Sequence, residues 1–293
     1  MTGICEGRVV IITGAGGGLG REYALAFAEQ GASVVVNDIN ASSAKATVEQ
    51  IESMGGKALV NTCDITNYED SLNIVKAAID TFGGLHVVVN NAGVCRDRMF
   101  ASMTEEEWDQ VIAVHLKGHF CISSHAVHYW RSQAKQGIEV NARIINTSSG
   151  AGLNGSVGQS NYATAKGGIA SLTLNQAAEL SRYGITANAL APAGRTGMTE
   201  EVFADMMKKP DAGEFDYYDP ANVAPLVAWL GSVQSSHVTG RVFEAEGGKI
   251  SIADGWRSTT PVDKGDKWSP EEIGNAIDQL FAQEVPAQKV YGS

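Results

Sequence analysis

Val9-Val10-Ile11-Ile12-Thr13-Gly14-Ala15-Gly16-Gly17-Gly18-Leu19-Gly20 is an apolar run that breaks into a glycine-rich turn. The run has no polar alternation, which marks a strand covered on both faces. Behind the turn, Tyr23-Ala24-Leu25-Ala26-Phe27-Ala28 has helical apolar spacing. Gly14, Gly18 and Gly20 follow a G-x-x-x-G-x-G pattern. Glycine allows the tight turn and lets backbone approach a diphosphate, and the next helix offers free N–H groups and a positive dipole end. A glycine turn alone often only closes a loop. Placed between a strand and a helix, it reads as a dinucleotide site of Gly14, Gly17, Gly18, Leu19 and Gly20.

The same rhythm continues outward. Strands are expected at 33–37, 58–61, 86–90, 143–146, 185–190 and 241–245. Helices are expected at 45–54, 72–82, 105–130, 162–182 and 223–230. Strand and helix in alternation predict an α/β fold, a Rossmann-like doubly wound parallel sheet flanked by helices. With no linker and no internal repeat, the expectation is one catalytic and dinucleotide-binding domain, 1–248, and a C-terminal extension, 249–293. The extension contains Ser269-Pro270-Glu271-Glu272, a capping box with proline at the first helical position, opening a helix to Glu284. It is expected to pack on the body or on a partner subunit. Residues 193–219 break the rhythm after a strand and read as a substrate lid or as a plain surface loop.

Composition sets the class. The chain has 293 residues, 44% hydrophobic and 19% charged, and a formal net charge of -11. That charge disfavours nucleic acid, whose binding rests on phosphate attraction. No stretch reaches the roughly 18 apolar residues of a membrane span. The first seven residues are too short and polar for a secretory signal. Cys5, Cys63, Cys95 and Cys121 are scattered without a C-x-x-C pair, as expected of reduced thiols in a cytoplasmic protein. No metal site is expected.

Asp38 ends the second strand, eighteen residues beyond Gly20. A carboxylate there can hydrogen-bond adenosine ribose hydroxyls and repel the extra phosphate of NADP. No arginine in the glycine turn offsets it, so the expected cofactor is NAD. A plain alternative is that Asp38 only caps the following helix. Asp64 and Ile65 follow the third strand and can flank adenine. Asn91, Ala92 and Gly93 follow the fourth, where small residues let a ligand lie across the sheet edge.

Tyr162 and Lys166 stand four residues apart on a predicted helix and share a face, with Ser149 upstream. Tyrosine titrates near ~10, too high for a base at neutral pH. A lysine ammonium nearby, together with the positive nicotinamide, favours phenolate and is expected to lower that value by about 1–3 units. Tyr162 then exchanges the alcohol proton while hydride moves to nicotinamide. Ser149 holds the substrate oxygen, and Lys166 also bonds the nicotinamide ribose. Each has an ordinary alternative: a half-buried aromatic, a surface lysine, a turn serine.

These motifs resemble the short-chain dehydrogenase/reductase family over nearly the whole chain: T-G-x-x-x-G-x-G at 13–20, N-N-A-G at 90–93, Ser149, and Y-x-x-x-K at 162–166. The resemblance implies a Rossmann-like domain assembled as a homodimer or homotetramer through its two long helices. A narrower likeness, in residues 13–28, 34–38, Arg96-Asp97-Arg98, Val114–Gly118 and Ala224–Leu230, is to the (3R)-hydroxyacyl-CoA dehydrogenase module of peroxisomal multifunctional enzymes and its bacterial relatives in acyl-CoA and sterol side-chain breakdown. It implies a small-molecule substrate, 3-hydroxyacyl-CoA, oxidised to 3-oxoacyl-CoA. A hydroxysteroid or other bulky secondary alcohol is the nearest alternative, an acyl-carrier-protein reductase is third, and a non-catalytic NAD-binding sensor is the alternative of another class. Two positions depart from the family. His115 stands where many members have an asparagine whose main-chain carbonyl holds a water linked to the lysine, so it is either passive or part of the relay. Pro192-Ala193-Gly194 replaces the usual Pro-Gly turn beside the cofactor. Arg96 and Arg98 either meet coenzyme A phosphates or pair with acids.

Overall fold

Alternate residues of the first strand feed opposite layers: Val10 and Ile12 enter one apolar cluster, Val9 and Ile11 the other. Both faces of the sheet are therefore buried, the arrangement that unbroken Val/Ile runs require. The computed structural model describes residues 3–196, 208–211, 213–253, 255–256, 258, 260–283 and 290–292. Its strands are β1 (Val9–Thr13), β2 (Ser33–Asn37), β3 (Lys57–Asn61), β4 (Val87–Asn90), β5 (Ala142–Thr147), β6 (Ile185–Ala193), β7 (Val242–Glu246) and β8 (Lys249–Ala253). They lie in the order β3-β2-β1-β4-β5-β6-β7-β8. The first seven are parallel, and β8 pairs antiparallel with β7.

The helices are α1 (Gly18–Glu29), α2 (Ala41–Ser53), α3 (Tyr68–Phe82), α4 (Glu105–Ile112), α5 (Gly118–Lys135), α6 (Gly150–Asn154), α7 (Ser160–Leu180), α8 (Ala224–Gly231) and α9 (Pro270–Phe281). The chain leaves β1 toward β2 and β3 on one side and, from β4 on, builds outward on the other. This reversal between β1 and β4 opens a crevice at the carboxyl ends of the strands, where doubly wound sheets hold their ligands. The doubly wound sheet expected from the alternation is the one present.

Three expectations need correction. The single helix 105–130 is two, α4 and α5, joined by a π-helical turn at Ala113–Lys117. One extra residue in a turn advances the helix face by about 100°. That brings His115 and, beyond it, Gly118, His119 and Ile122 to the core. The strand 241–245 is not the last: β8 extends the sheet from within the segment set apart as an extension. The short helix α6, directly after Ser149, was not foreseen. The capping box at Ser269 and Glu272 is present. Part of the lid, 197–207 and 212, with its methionines, and Glu284 lie outside the described residues.

Candidate active site

The glycine turn is built by close approach. Gly14 has φ +64°, and a methyl group there would stand 2.7 Å from the Ala92 backbone. A methyl group at Gly20 would overlap the carbonyl of Gly14. At Gly16 it would stand 2.8 Å from an Asp38 carboxylate oxygen. At Gly17 it would meet nothing within 4 Å and would instead project into open space. Gly17 is the N-cap of α1 and supplies no side-chain cap, so the helix start carries the N–H donors and positive potential that suit a diphosphate. Leu19 packs against the core beside Gly194, whose added methyl group would lie 3.4 Å from it.

Thr13 locks this turn to the end of β4. Its hydroxyl accepts from the Asn91 and Ala92 N–H groups at 3.0 and 3.1 Å. The Asn91 side chain donates to the Thr13 and Gly14 carbonyls at 3.1 and 3.2 Å. Asp38 accepts from Gly16 N–H at 3.0 Å through one oxygen and from Asn40 N–H at 2.9 Å through the other. It does not cap α2; Asn40 does, accepting from Ser43 N–H. A carboxylate has about four acceptor sites, so Asp38 retains capacity for a ribose diol. Asp64 is exposed and accepts from Thr66 N–H at 2.8 Å, while Ile65 is buried against Gly118. Pro192 lies in β6 opposite Ala245.

The second cluster surrounds Tyr162. Ser149 is the N-cap of α6, accepting from Ala151 N–H at 3.2 Å, and its hydroxyl lies near enough to the Tyr162 phenol to favour its ionisation. Lys166 is 2% exposed, and its Nζ lies 5.5 Å from the centre of the Tyr162 ring. That ammonium nitrogen donates to the Thr147 carbonyl at 2.5 Å. The start of α7 is clamped by Asn161, which donates to the Arg96 and Glu107 carbonyls at 3.0 and 3.1 Å and accepts from Tyr162 N–H at 2.7 Å.

Burial dominates the titration of this cluster in the chain alone. Burial holds Lys166 down at about 7. Burial, with the neighbouring Cys95, pushes Tyr162 up to about 12, against the pull of the nearby Ser149 hydroxyl. Desolvation penalises the charged form of each group, and the lowering expected of the phenol belongs to the site with the positive nicotinamide in place. Cys95 itself is raised to about 11 by burial and is a neutral thiol near neutral pH.

His115 is fixed. Its Nε2 lies 3.0 Å from Val94 N and 2.8 Å from Val94 O, so either tautomer makes one bond to that backbone. Its ring packs edge-on against Tyr162, with centroids 5.1 Å apart. Its Nδ1 has no partner among the described residues. Burial, with the Lys166 charge nearby, holds it down at about 3. A methyl group on Gly93 would overlap this ring. Arg98 pairs with Glu107 at 2.8 Å, and Arg96 donates to Gln110 and to the Cys95 carbonyl.

The predicted residues thus fall into two clusters on one sheet edge. Several partners went unread in the sequence: Thr147, Asn161, His119 and the asparagines ending strands. Asn90 donates to Ser123 and Asn146, and Asn146 to Thr173 and Gln176, at 2.8–2.9 Å. An asparagine closing each of the runs at 37, 61, 90 and 146 was the visible signal.

Residues 8–207 match the short chain dehydrogenase family model. The hydroxyacyl-CoA dehydrogenase ChsB1 of Mycobacterium tuberculosis is 42% identical over 293 residues, covering 97% of this chain and 91% of that one. The peroxisomal multifunctional enzyme type 2 of Mus musculus is 42% identical over 254 residues, which are 84% of this chain and 32% of that protein. The crystal structure of a short chain dehydrogenase from Mycobacterium avium superposes with a TM-score of 0.91 at 50% identity, covering 99% of this chain and all of that one. The chain belongs to the short-chain dehydrogenase family. It is an oxidoreductase that acts on CH–OH groups with a nicotinamide cofactor.

Proposed function

We infer that this enzyme oxidises 3-hydroxyacyl-CoA to 3-oxoacyl-CoA with NAD, using Ser149, Tyr162 and Lys166. The observation that carries this reading is a phenol with Ser149 beside it and a buried lysine 5.5 Å from its ring centre, at the edge that also holds the glycine turn. The substrate class rests on the names of its relatives, a mycobacterial hydroxyacyl-CoA dehydrogenase and a peroxisomal multifunctional enzyme. Asp38 supports NAD: its carboxylate sits beside Gly16 and would face the added phosphate of NADP. Gly14, Gly17, Gly18, Leu19 and Gly20 hold the diphosphate; Asp64 and Ile65 flank adenine; Asn91, Ala92, Gly93 and Pro192 border the nicotinamide.

The bound nicotinamide supplies the hydride acceptor and a positive charge. Ser149 and Tyr162 fix the substrate oxygen between them. Tyr162 receives the hydroxyl proton as the carbonyl forms, and the Lys166 ammonium stabilises the phenolate. Thr147 orients Lys166 through its carbonyl. Catalysis is placed in residues 1–248. The four free cysteines, two of them buried, support a reducing compartment such as the cytoplasm. Phe120 on α5 and Leu174 on α7 are more than half exposed, which supports assembly as a homo-oligomer through those helices.

Tyr162→Phe tests the mechanism. Removing an acid–base group costs about 10²–10⁴ in rate. The variant is expected to bind NAD normally and to lose turnover on that scale, read at the NADH absorbance band. Full-rate oxidation would overturn the assignment. Tight NAD binding by the unaltered enzyme with no turnover of any alcohol would favour a sensor.

A further inference from the structure

Residues 290–292 return to the catalytic side of the molecule. Val157 N–H donates to the Tyr291 carbonyl at 2.9 Å, and Tyr291 N–H donates to the Gly155 carbonyl at 3.3 Å. Ser156 and Tyr291 thereby form a parallel bridge. The Tyr291 hydroxyl accepts from the Asn154 side chain at 3.2 Å. The contact is close because two residues lack side chains. A methyl group on Gly150 would stand 3.0–3.4 Å from the Tyr291 phenol, and one on Gly155 would stand 3.3 Å from Val290. Gly150 directly follows Ser149, so the tail rests on the helix that Ser149 caps.

The loop 155–159 is held from its other side as well. Arg98 N–H donates to the Gly158 carbonyl at 2.7 Å, and the Gln159 side chain donates to Asp97 at 2.8 Å. Segments 97–99, 155–159 and 290–292 therefore form a continuous rim on α6, which Ser149 caps, and just ahead of α7, which carries Tyr162. Beside the exposed Asp97 and Arg98 it presents three apolar side chains: Met99, Val157 and Tyr291 are 60%, 46% and 51% exposed. Apolar side chains gathered beside a catalytic centre suit an apolar ligand group.

We propose that Tyr291 and its neighbours in the C-terminal tail form a wall of the substrate site and set specificity for the apolar acyl end of the thioester. This deepens the hydroxyacyl-CoA reading and rests on it. The acyl end fits better than the coenzyme A end, because the exposed groups Met99, Val157 and Tyr291 are apolar and Arg98 of the same rim is already paired with Glu107. The tail is a positioning and specificity element, apart from the proton-transferring groups.

The test compares 3-hydroxypalmitoyl-CoA with 3-hydroxybutyryl-CoA, each oxidised by the full-length enzyme, Tyr291→Ala and Tyr291→Phe. The reading is the ratio of kcat/KM for the long over the short substrate. Removing an apolar contact changes such a ratio by roughly tenfold, so Tyr291→Ala is expected to lower it about tenfold and Tyr291→Phe to keep it within about twofold. A purely structural tail would lower both substrates equally and leave the ratio unmoved; that result overturns the proposal. So does an unmoved ratio with unchanged rates. If the unaltered enzyme turns over neither thioester, the parent reading falls and the proposal with it. Turnover of both with a ratio insensitive to Tyr291→Ala removes only the wall.

Discussion

In the proposed mechanism single side chains carry the chemistry, and burial sets the titration of the phenol and the ammonium. Asp38 is partly committed to backbone N–H groups of Gly16 and Asn40, and in the proposed NAD site its charge would face a 2′-phosphate. Asp38→Ala is expected to weaken NAD binding by about tenfold and to raise the NADP/NAD preference by at least that factor. Kd values from NADH and NADPH fluorescence check this, and an unchanged preference would separate Asp38 from cofactor choice. The pair Tyr162–Lys166 sets the pH dependence. With Lys166 lowered to about 7 and Tyr162 raised to about 12, the two groups together lose their first proton near neutrality. The singly protonated pair has the same proton count as phenolate plus ammonium, the form that accepts the alcohol proton. The sign follows: kcat/KM for oxidation rises with pH through about 7 and then levels. Lys166→Met should move that limb toward alkaline pH, because the first proton must then leave the phenol. A limb that stays in place would mean another group titrates.

At the scale of elements, the π-helical turn at Ala113–Lys117 turns His115 into the core and favours the passive reading of it. The ring is held neutral on the Val94 backbone, with burial keeping it at about 3. It therefore braces the strand-end segment that follows β4 and does not titrate in the working range. Gln can reach the same backbone groups with an amide, whereas Leu leaves them unpaired. His115→Gln is expected to keep the pH limb of the unaltered enzyme. His115→Leu should cost about 1–3 kcal/mol of stability, the cost of leaving one such backbone group unsatisfied. Urea unfolding and a pH–rate profile distinguish bracing from proton relay; loss of the limb in His115→Gln would restore the relay. The interruption of the helix was not legible, because α and π turns share the same residue types and the periodicity of 105–130 survives the extra residue. The strand β8 was legible and missed. Glu246-Gly247-Gly248-Lys249 is a two-glycine turn between strands, with Gly247 at φ +52°, and a Gly-Gly pair between apolar runs is a hairpin signal. Lys249-Ile250-Ser251-Ile252-Ala253 alternates as an edge strand should, and both isoleucines stay exposed.

Over the whole molecule, the sheet order follows from the sequence because seven Val/Ile/Ala runs punctuated by glycine admit few other arrangements. The buried polar network at the strand ends was harder to read. Asn90 and Asn146 look like loop residues until β4 and β5 place them side by side, and only then does the Asn90–Asn146–Thr173–Gln176 chain exist. The same convergence makes the cofactor site a property of the entire sheet. Thr13 and Gly14 from β1 and its turn, Asp38 after β2, Asp64 after β3, Asn91 after β4 and Pro192 on β6 come from both halves of the double winding. A ligand spanning them binds the folded chain and not the unfolded one, so it must raise stability by mass action. At a hundredfold excess over Kd that is about 2.7 kcal/mol, or a rise in Tm on the order of 5 °C for a chain of this size. NAD is expected to give that rise and NADP at equal concentration a smaller one. The gap between the two nucleotides should close in Asp38→Ala, where the discriminating carboxylate is gone. Equal stabilisation of the unaltered protein by NAD and NADP, followed by thermal unfolding, would place the cofactor preference elsewhere in the sheet edge than at the end of β2.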